Sequence, residues 1–301
     1  MKRELMGIIV KRTDGSEIIN YNNEAFPSYI NDGWIKPHVT WERVPHFHED
    51  VELLSVKSGR MAYSVNGKTI ELNAGDTIFV NANQIHYSLA LEDEMARYVI
   101  FVINPSILKT SVAVEMQAVM PILSNPNLPY IRFWHEYENS KAIYEIMQTL
   151  PDVRQDAFQV TKRFFSIWEI IMRQGQSYGF IGNDIDVDIH MQSFKKMMYF
   201  IQKEYQNKVT LEMIAASGGV SKSLCNKLFK KYVDVSPINY LLELRIKKVT
   251  EYLRTTSYSL TDIAELCGFN GASYMAEMFK KLVGKSPLNY RNEQAHLKTE
   301  L

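Results

Sequence analysis

Two histidines set two residues apart, with a carboxylate four residues on, make the first chemically informative stretch: His46-Phe47-His48-Glu49-Asp50-Val51-Glu52. Farther along, Gly75-Asp76 precedes a third histidine, His86. Side chains of an extended strand alternate faces, so His46, His48 and Glu52 share one face if the stretch is a continuous strand. Three imidazoles and one carboxylate are a nitrogen and oxygen donor set for a first-row divalent metal. The other reading is a polar interior that binds an organic effector, or satisfies itself by hydrogen bonds. Under either reading the mouth of this domain is the candidate pocket. Trp34, His38, Trp41 and Tyr63 either line it or are ordinary core and surface residues.

A second set lies late in the chain, in Lys222-Ser223-Leu224-Cys225-Asn226-Lys227-Leu228-Phe229-Lys230-Lys231. With Leu224, Leu228 and Phe229 turned to a core, Ser223, Asn226, Lys227 and Lys230 share the outward face of a helix. Asparagine suits the edge of adenine in a major groove and lysine that of guanine. Lys222, Lys230 and Lys231 suit phosphates. The charge balance agrees. Residues 193–301 hold 17 Lys/Arg against 10 Asp/Glu, and residues 1–192 hold 17 against 24, although the whole chain is neutral. One basic half beside an acidic one fits phosphate binding at one end only.

The elements that must position this second set are repeated. Phe229-Lys-Lys-Tyr-Val-Asp-Val-Ser-Pro-Ile-Asn-Tyr240 returns as Phe279-Lys-Lys-Leu-Val-Gly-Lys-Ser-Pro-Leu-Asn-Tyr290. Upstream, Leu211-x-x-Ile-Ala returns as Leu260-x-x-Ile-Ala. An internal repeat means that both segments obey one packing plan. Each reads as helix, glycine turn, second helix, which is the helix-turn-helix plan. Thr210 and Ser221 are the expected caps in the first copy, Asn270 in the second. Gly218-Gly219 and Cys267-Gly268-Phe269 are the turns. Proline after Ser236 and Ser286 starts the next helix without losing a useful hydrogen bond. A helix from Ile238 to about Leu253, roughly 24 Å long at 1.5 Å per residue, joins the copies. Another, from Ser193 to about Gln206, opens the domain.

Ile263-Ala264, Gly268-Phe269, Phe279-Lys280, Gly284, Ser286-Pro287 and Tyr290-Arg291 together resemble the signature of the AraC/XylS family of bacterial transcription regulators. The resemblance is close over residues 193–292. It implies two DNA-reading helices in one subunit, held in successive segments of the major groove. It places Ser223, Asn226 and Lys227 where base-contacting residues lie. It also implies that Arg245, in the connecting helix, packs and touches the DNA backbone. The second reading helix departs from the family pattern. Its outward positions are Gly271, Ala272, Ser273, Tyr274, Ala276 and Glu277, and Glu277 stands where a basic residue is common. Glutamate accepts from cytosine but repels phosphate. The first copy is therefore expected to carry more of the sequence readout. The second is expected to contribute phosphate contacts through Ser273 and Tyr274.

Residues 1–104 read as short strands broken by turns such as Asp14-Gly15, Asn31-Asp32-Gly33 and Ser58-Gly59. The clearest hairpin turns at Asn66-Gly67, between Ala62–Val65 and Lys68–Leu72. Many closely spaced strands argue for a small barrel or jelly roll. The histidine spacing is similar to the two cupin motifs, His-x-His-x3-Glu-x6-Gly and Gly-x5-Pro-x-Gly-x2-His. Asn81 stands in place of the proline and Asn83 in place of the second glycine. A cupin-like sensor ahead of the DNA-binding domain is a common AraC-type architecture.

The expected fold is thus multidomain α+β: a cupin-like barrel over 1–104, helices over 105–175, a linker over 176–192, an all-α domain with two helix-turn-helix units over 193–292, and a tail over 293–301. In the helical part Pro121, Pro126 and Pro129 are breaks, and Ser140–Leu150 and Asp156–Gln174 are helices. The second of these is apolar on more than one side, which reads as core; the AraC resemblance implies that part of it pairs with a second subunit. Cys225 and Cys267 read as buried thiols in a reducing compartment. The N-terminal apolar run is too short for a signal peptide or a membrane span, so a cytoplasmic protein is expected. Expected partners are double-stranded DNA, a small-molecule effector of carbohydrate type, a second subunit and RNA polymerase. The function read from the sequence is a transcription regulator and not an enzyme. The alternative is a cupin metalloenzyme, an oxygenase or isomerase, fused to a DNA-binding domain. A purely protein-binding role for the repeats conflicts with the lysines.

Overall fold

The computed structural model describes residues 10–11, 16–36, 45–91, 94–177 and 190–299. The chain forms two compact units, one holding residues 16–36, 45–91 and 94–177 and the other residues 190–299. The turn at Asp14-Gly15, His38, Trp41 and most of the expected linker lie outside the described residues.

The first unit is built on eight antiparallel strands: β1 (Ser28–Ile35), β2 (Val51–Ser58), β3 (Arg60–Val65), β4 (Lys68–Asn73), β5 (Thr77–Val80), β6 (His86–Ala90), β7 (Ala96–Ile103) and β8 (Tyr130–Phe133). Five form one sheet, in the order β8-β5-β2-β7-β1, and three form another, β4-β3-β6. The expected hairpin is present. Asn66 and Gly67 have φ of 50° and 83°, as a turn of the I′ kind requires, and Val65 pairs with Lys68 across it.

The run Val-Glu-Leu-Leu-Ser-Val of β2 lacks alternation because both of its faces are covered. Leu54 and Val56 pack between the sheets with Met61, Tyr63 and Leu72. Leu53 faces the other way, into a core shared with Phe79, Phe101, Phe164 and Trp168. The last two come from α2 (Ala157–Ser177), which packs on the five-stranded sheet beside α1 (Glu138–Val153). Rings of Phe79, Phe164 and Trp168 meet edge to face with centroids 5.8–6.1 Å apart. Each such burial contributes about 1.5–3 kcal/mol.

Two expectations for residues 105–180 are corrected. The segment is not all helical: Tyr130-Ile-Arg-Phe133 is a strand that extends the five-stranded sheet, with Tyr130 opposite Val80. Its Ile131 and Phe133 are buried while Tyr130 and Arg132 are less so, which is strand periodicity. Pro121 does not break a helix either. It sits in the first turn of Met120–Leu123, where a missing amide hydrogen costs little.

The second unit holds α3 (Met191–Glu204), α4 (Leu211–Ser217), α5 (Lys222–Val233), α6 (Pro237–Thr255), α7 (Leu260–Leu266), α8 (Ala272–Val283) and α9 (Pro287–Thr299). The hydroxyls of Thr210, Ser221, Ser236 and Ser259 each accept from the amide three residues on, at 3.1–3.4 Å. Each cap is worth about 1 kcal/mol. The expected cap at Asn270 is corrected: Gly271 occupies that position, with no side-chain hydrogen bond. The repeat is visible in packing. Phe229 meets Tyr240, and Phe279 meets Tyr290, with ring centroids 5.6 Å apart in both copies.

Candidate nucleic-acid interface and metal centre

Helix α5 buries Cys225, Leu228, Phe229, Tyr232 and Val233 and half-buries Leu224. That fixes its rotation. Lys222, Ser223, Asn226, Lys227, Lys230 and Lys231 are all exposed, as expected. Lys222 pairs with Glu212 at 2.7 Å and Lys230 with Asp234 at 2.5 Å. Such exposed pairs contribute little to stability and exchange readily for another anion. Asn226 donates to the carbonyl of Lys222 at 3.0 Å, which holds the amide along the helix surface.

In α8, Met275 and Phe279 are buried, and Ser273, Tyr274 and Glu277 are exposed. Gly271, Ala272 and Ala276 are only half-exposed. The outer face continues through Lys280 and Lys281, which the sequence reading passed over. Their signal was available, because they align with Lys230 and Lys231 in the repeat.

Arg245 packs within its own unit. Its guanidinium donates to the carbonyls of Tyr205 and Asn207, at 2.8 and 2.9 Å. It also lies 5.9 Å from the ring centre of Phe269. These contacts direct the side chain into the domain, so it is a packing residue here.

In the first unit the three histidines and Glu52 do converge, though not on one strand. His46 makes an isolated backbone bridge with His86, and β2 begins only at Val51. A bridge, a turn and two strand ends therefore gather the donors. One donor atom from each of His46, His48, Glu52 and His86 lies within 4.8 Å of the others. His48, Glu52 and His86 are buried, and His46 is half-buried at the edge. Trp34, by contrast, is exposed, with Arg97 over its ring. Tyr63 is buried, with its hydroxyl donating to Glu52 and its ring stacked on His86.

The histidine tautomers follow from their partners. Nδ1 of His48 meets the carbonyl of Asp50 at 3.0 Å, and Nδ1 of His86 meets that of Gln84 at 2.8 Å. A carbonyl only accepts, so both Nδ1 atoms carry hydrogen. In the neutral rings Nε2 is then a bare lone pair, and both point at Glu52 Oε2, at 3.5 and 3.3 Å. Neither Nε2 has an aligned hydrogen bond. Two lone pairs facing a buried carboxylate demand a cation between them, either a proton or a metal ion. Burial depresses the affinity of His48 for a proton, but Glu52 overrides it and the net direction is upward. Burial raises the carboxyl of Glu52, and the charges of His86 and His48 carry it well below the usual range. Burial, with the His86 charge, holds His46 down to about 3, so its imidazole is neutral. The arrangement fits a divalent metal with nitrogen and oxygen donors.

The departures from the cupin motif are accounted for locally. Asn83 has a φ of 63°, the left-handed region that the motif's glycine would serve and that asparagine tolerates. Asn81 donates its backbone amide to Pro129, and its side chain to Ile122 and Leu128. A proline would lack the first of these bonds.

A cupin domain model matches residues 36–103, and a helix-turn-helix domain model matches residues 214–293. The chain thus carries a cupin domain followed by a helix-turn-helix domain. Curated relatives match most of its length. The uncharacterized HTH-type transcriptional regulator YdeC of Bacillus subtilis (strain 168) is 24% identical, covering 82% of this chain and 85% of its own. The HTH-type transcriptional activator RhaS of Enterobacter sp. (strain 638) is 22% identical, covering 89% and 95%. Among solved structures, fatty-acid-bound ToxT from Vibrio cholerae covers 91% of this chain and 97% of its own, at 16% identity and a TM-score of 0.47. Helices α5 and α8 are the second helices of the two helix-turn-helix units, and α6 joins the units. Among the described residues no helix is long and apolar enough to cross a membrane.

Proposed function

We propose that this chain is an effector-responsive transcription regulator, which binds double-stranded DNA through α5 and α8 and takes its signal at the cupin cluster. The observation that carries the reading is the repeat itself. Two copies of one packing plan each leave a lysine-bearing outer face, with Lys222, Ser223, Asn226, Lys227 and Lys230 on α5 and Ser273, Tyr274, Glu277, Lys280 and Lys281 on α8. In this reading Asn226 and Lys227 read bases and the remaining lysines bind phosphates. Selection of duplexes from a random pool by the full chain tests it. Enrichment of a two-part motif whose binding weakens steeply with salt supports the reading, and failure to enrich any motif contradicts it.

The cupin cluster is proposed to hold a first-row divalent ion on His46, His48, Glu52 and His86. The ion would supply a Lewis-acidic contact for an oxygen-bearing effector of carbohydrate type. Response to that effector requires unequal affinity for two states of the protein. The outer stripe of α2 supports a homodimer, since Phe158 is 74% exposed and Phe165 39% exposed. A cytoplasmic location and contact with RNA polymerase belong to the same reading. Elemental analysis of the purified chain tests the metal: about one equivalent per chain is expected, and none would remove it.

A further inference from the structure

Resting on the DNA-reading assignment above, we infer that Arg245 and Gly268 are positioning residues that fix the separation of the two reading helices. The opening helix α3 touches both helix-turn-helix turns, one near each end. A Cβ added to Gly218, in the first turn, would lie 2.9 Å from the carbonyl oxygen of Ser193 and 2.6 Å from the side chain of Met197. A Cβ added to Gly268, in the second turn, would lie 2.8 Å from the carbonyl oxygen of Gln206 and closer still to that of Tyr205. Ser193 and Tyr205 are about 18 Å apart along a helix rising 1.5 Å per residue. Helix α3 is therefore a spacer with one turn seated near each end.

Among the described residues, a guanidinium fastens the second seat. Arg245 reaches from the rod α6 to the carbonyls of Tyr205 and Asn207, at 2.8 and 2.9 Å. These carbonyls lie just past the end of α3, where helical partners run out and the helix dipole favours a cation. The same guanidinium faces Phe269, the neighbour of Gly268. One side chain thus joins the rod, the end of the opening helix and the second turn. The repeat supplies an internal control. Gly219 aligns with Gly268 and has a similar φ, 67° against 75°, yet nothing lies within 4 Å of its Cβ position. The turn alone does not demand the close approach at Gly268. The position that aligns with Arg245 in the second copy is Ala295. The joint is thus particular to the junction between the copies. A fork of two parallel donors holds it where a single flexible ammonium would not.

A rigid joint gives one permitted spacing between two DNA elements, about one helical turn of duplex. A loosened joint leaves each module intact and frees the spacing. The test is selection from a random duplex pool by the full-length chain and its Arg245→Ala, Arg245→Lys and Gly268→Ala variants. The wild type is expected to enrich two elements at one separation. The variants are expected to keep the α5 element, while duplexes holding both elements at that separation fall about tenfold, as rigid linkage is lost. Enrichment of both elements at the wild-type separation by the variants would overturn the inference. If Arg245→Ala fails to fold, Arg245→Lys and Gly268→Ala decide by the same measure. A wild type that enriches only single elements would overturn the two-helix reading itself, which is distinguishable from loss of spacing in the variants.

Discussion

Tyr63 gives its hydroxyl hydrogen bond to one oxygen of Glu52, while the other oxygen faces the Nε2 atoms of His48 and His86. The tyrosine thereby decides which carboxylate oxygen is left for a cation. Removing that hydroxyl leaves the donor atoms in place but frees the carboxylate to rotate. Tyr63→Phe is expected to weaken Co(II) or Zn(II) binding by about 10- to 100-fold, as loss of an outer partner commonly does. Glu52→Gln is expected to abolish it. Equilibrium dialysis of the three proteins checks both, and unchanged affinity in Tyr63→Phe would remove the tyrosine from this role.

Asp76 is fully buried and ties the start of β5 to the end of β8. It accepts from Arg132 at 2.6 Å and from the backbone and ring of His135 at 2.9 and 3.0 Å. Burial raises its pKa, but the amides of Asn73 and His135 and the Arg132 side chain outweigh that, and the net direction is downward. A lowered carboxylate contributes stability above its unfolded value near 3.9, and that contribution is lost as pH falls through the folded value. Asp76→Asn leaves the half-buried Arg132 without its carboxylate partner. It is expected to cost about 3–5 kcal/mol at pH 7. Denaturant unfolding of both proteins from pH 7 downward should show the difference shrinking below about pH 4. A difference that does not depend on pH would contradict the ion-pair account.

The two reading helices are expected to respond unequally. Lys227 and Glu277 occupy aligned positions, and both are exposed. Lys227→Ala is expected to cost about 1–3 kcal/mol of binding to a selected duplex. Glu277→Ala removes a charge that repels phosphate and is expected to leave affinity unchanged or raised. Fluorescence anisotropy at one fixed salt concentration measures both. Equal losses would refute the asymmetry.

The outer stripe of α2 yields a separate expectation. Phe158→Glu places a charge on a surface that is apolar at Phe158 and Phe165. Sedimentation should report a dimer for the wild type and a monomer for the variant. A dimer in both would move the contact elsewhere.

Much of the second unit was legible in the sequence because each copy of the repeat checks the other. Thr210, Ser221 and the Ser-Pro pairs mark the helix starts through local chemistry, and the buried face of α5 followed from apolar spacing. Gly271 replaced Asn270 as a helix start because sequence fixes such boundaries only to within a residue or two. The role of Arg245 was not legible, since its partners are carbonyls some forty residues away. In the first unit the donor residues were legible but their placement was not. His46 and His48 precede the strand, and a backbone bridge to His86 brings them together. Strand β8 was hidden because four residues among prolines carry too little periodicity to stand out.

The central claim is that two lysine-bearing helices of one chain engage a single duplex. The salt dependence of binding to a selected duplex tests it most directly. Lys222, Lys227, Lys230, Lys231, Lys280 and Lys281 are all exposed on α5 and α8. Neutralising about five phosphates gives a slope of log affinity against log salt near −4 to −5, and Lys280→Ala with Lys281→Ala should make it shallower by about 2. A slope near zero, or one that the α8 substitutions leave untouched, would contradict the claim.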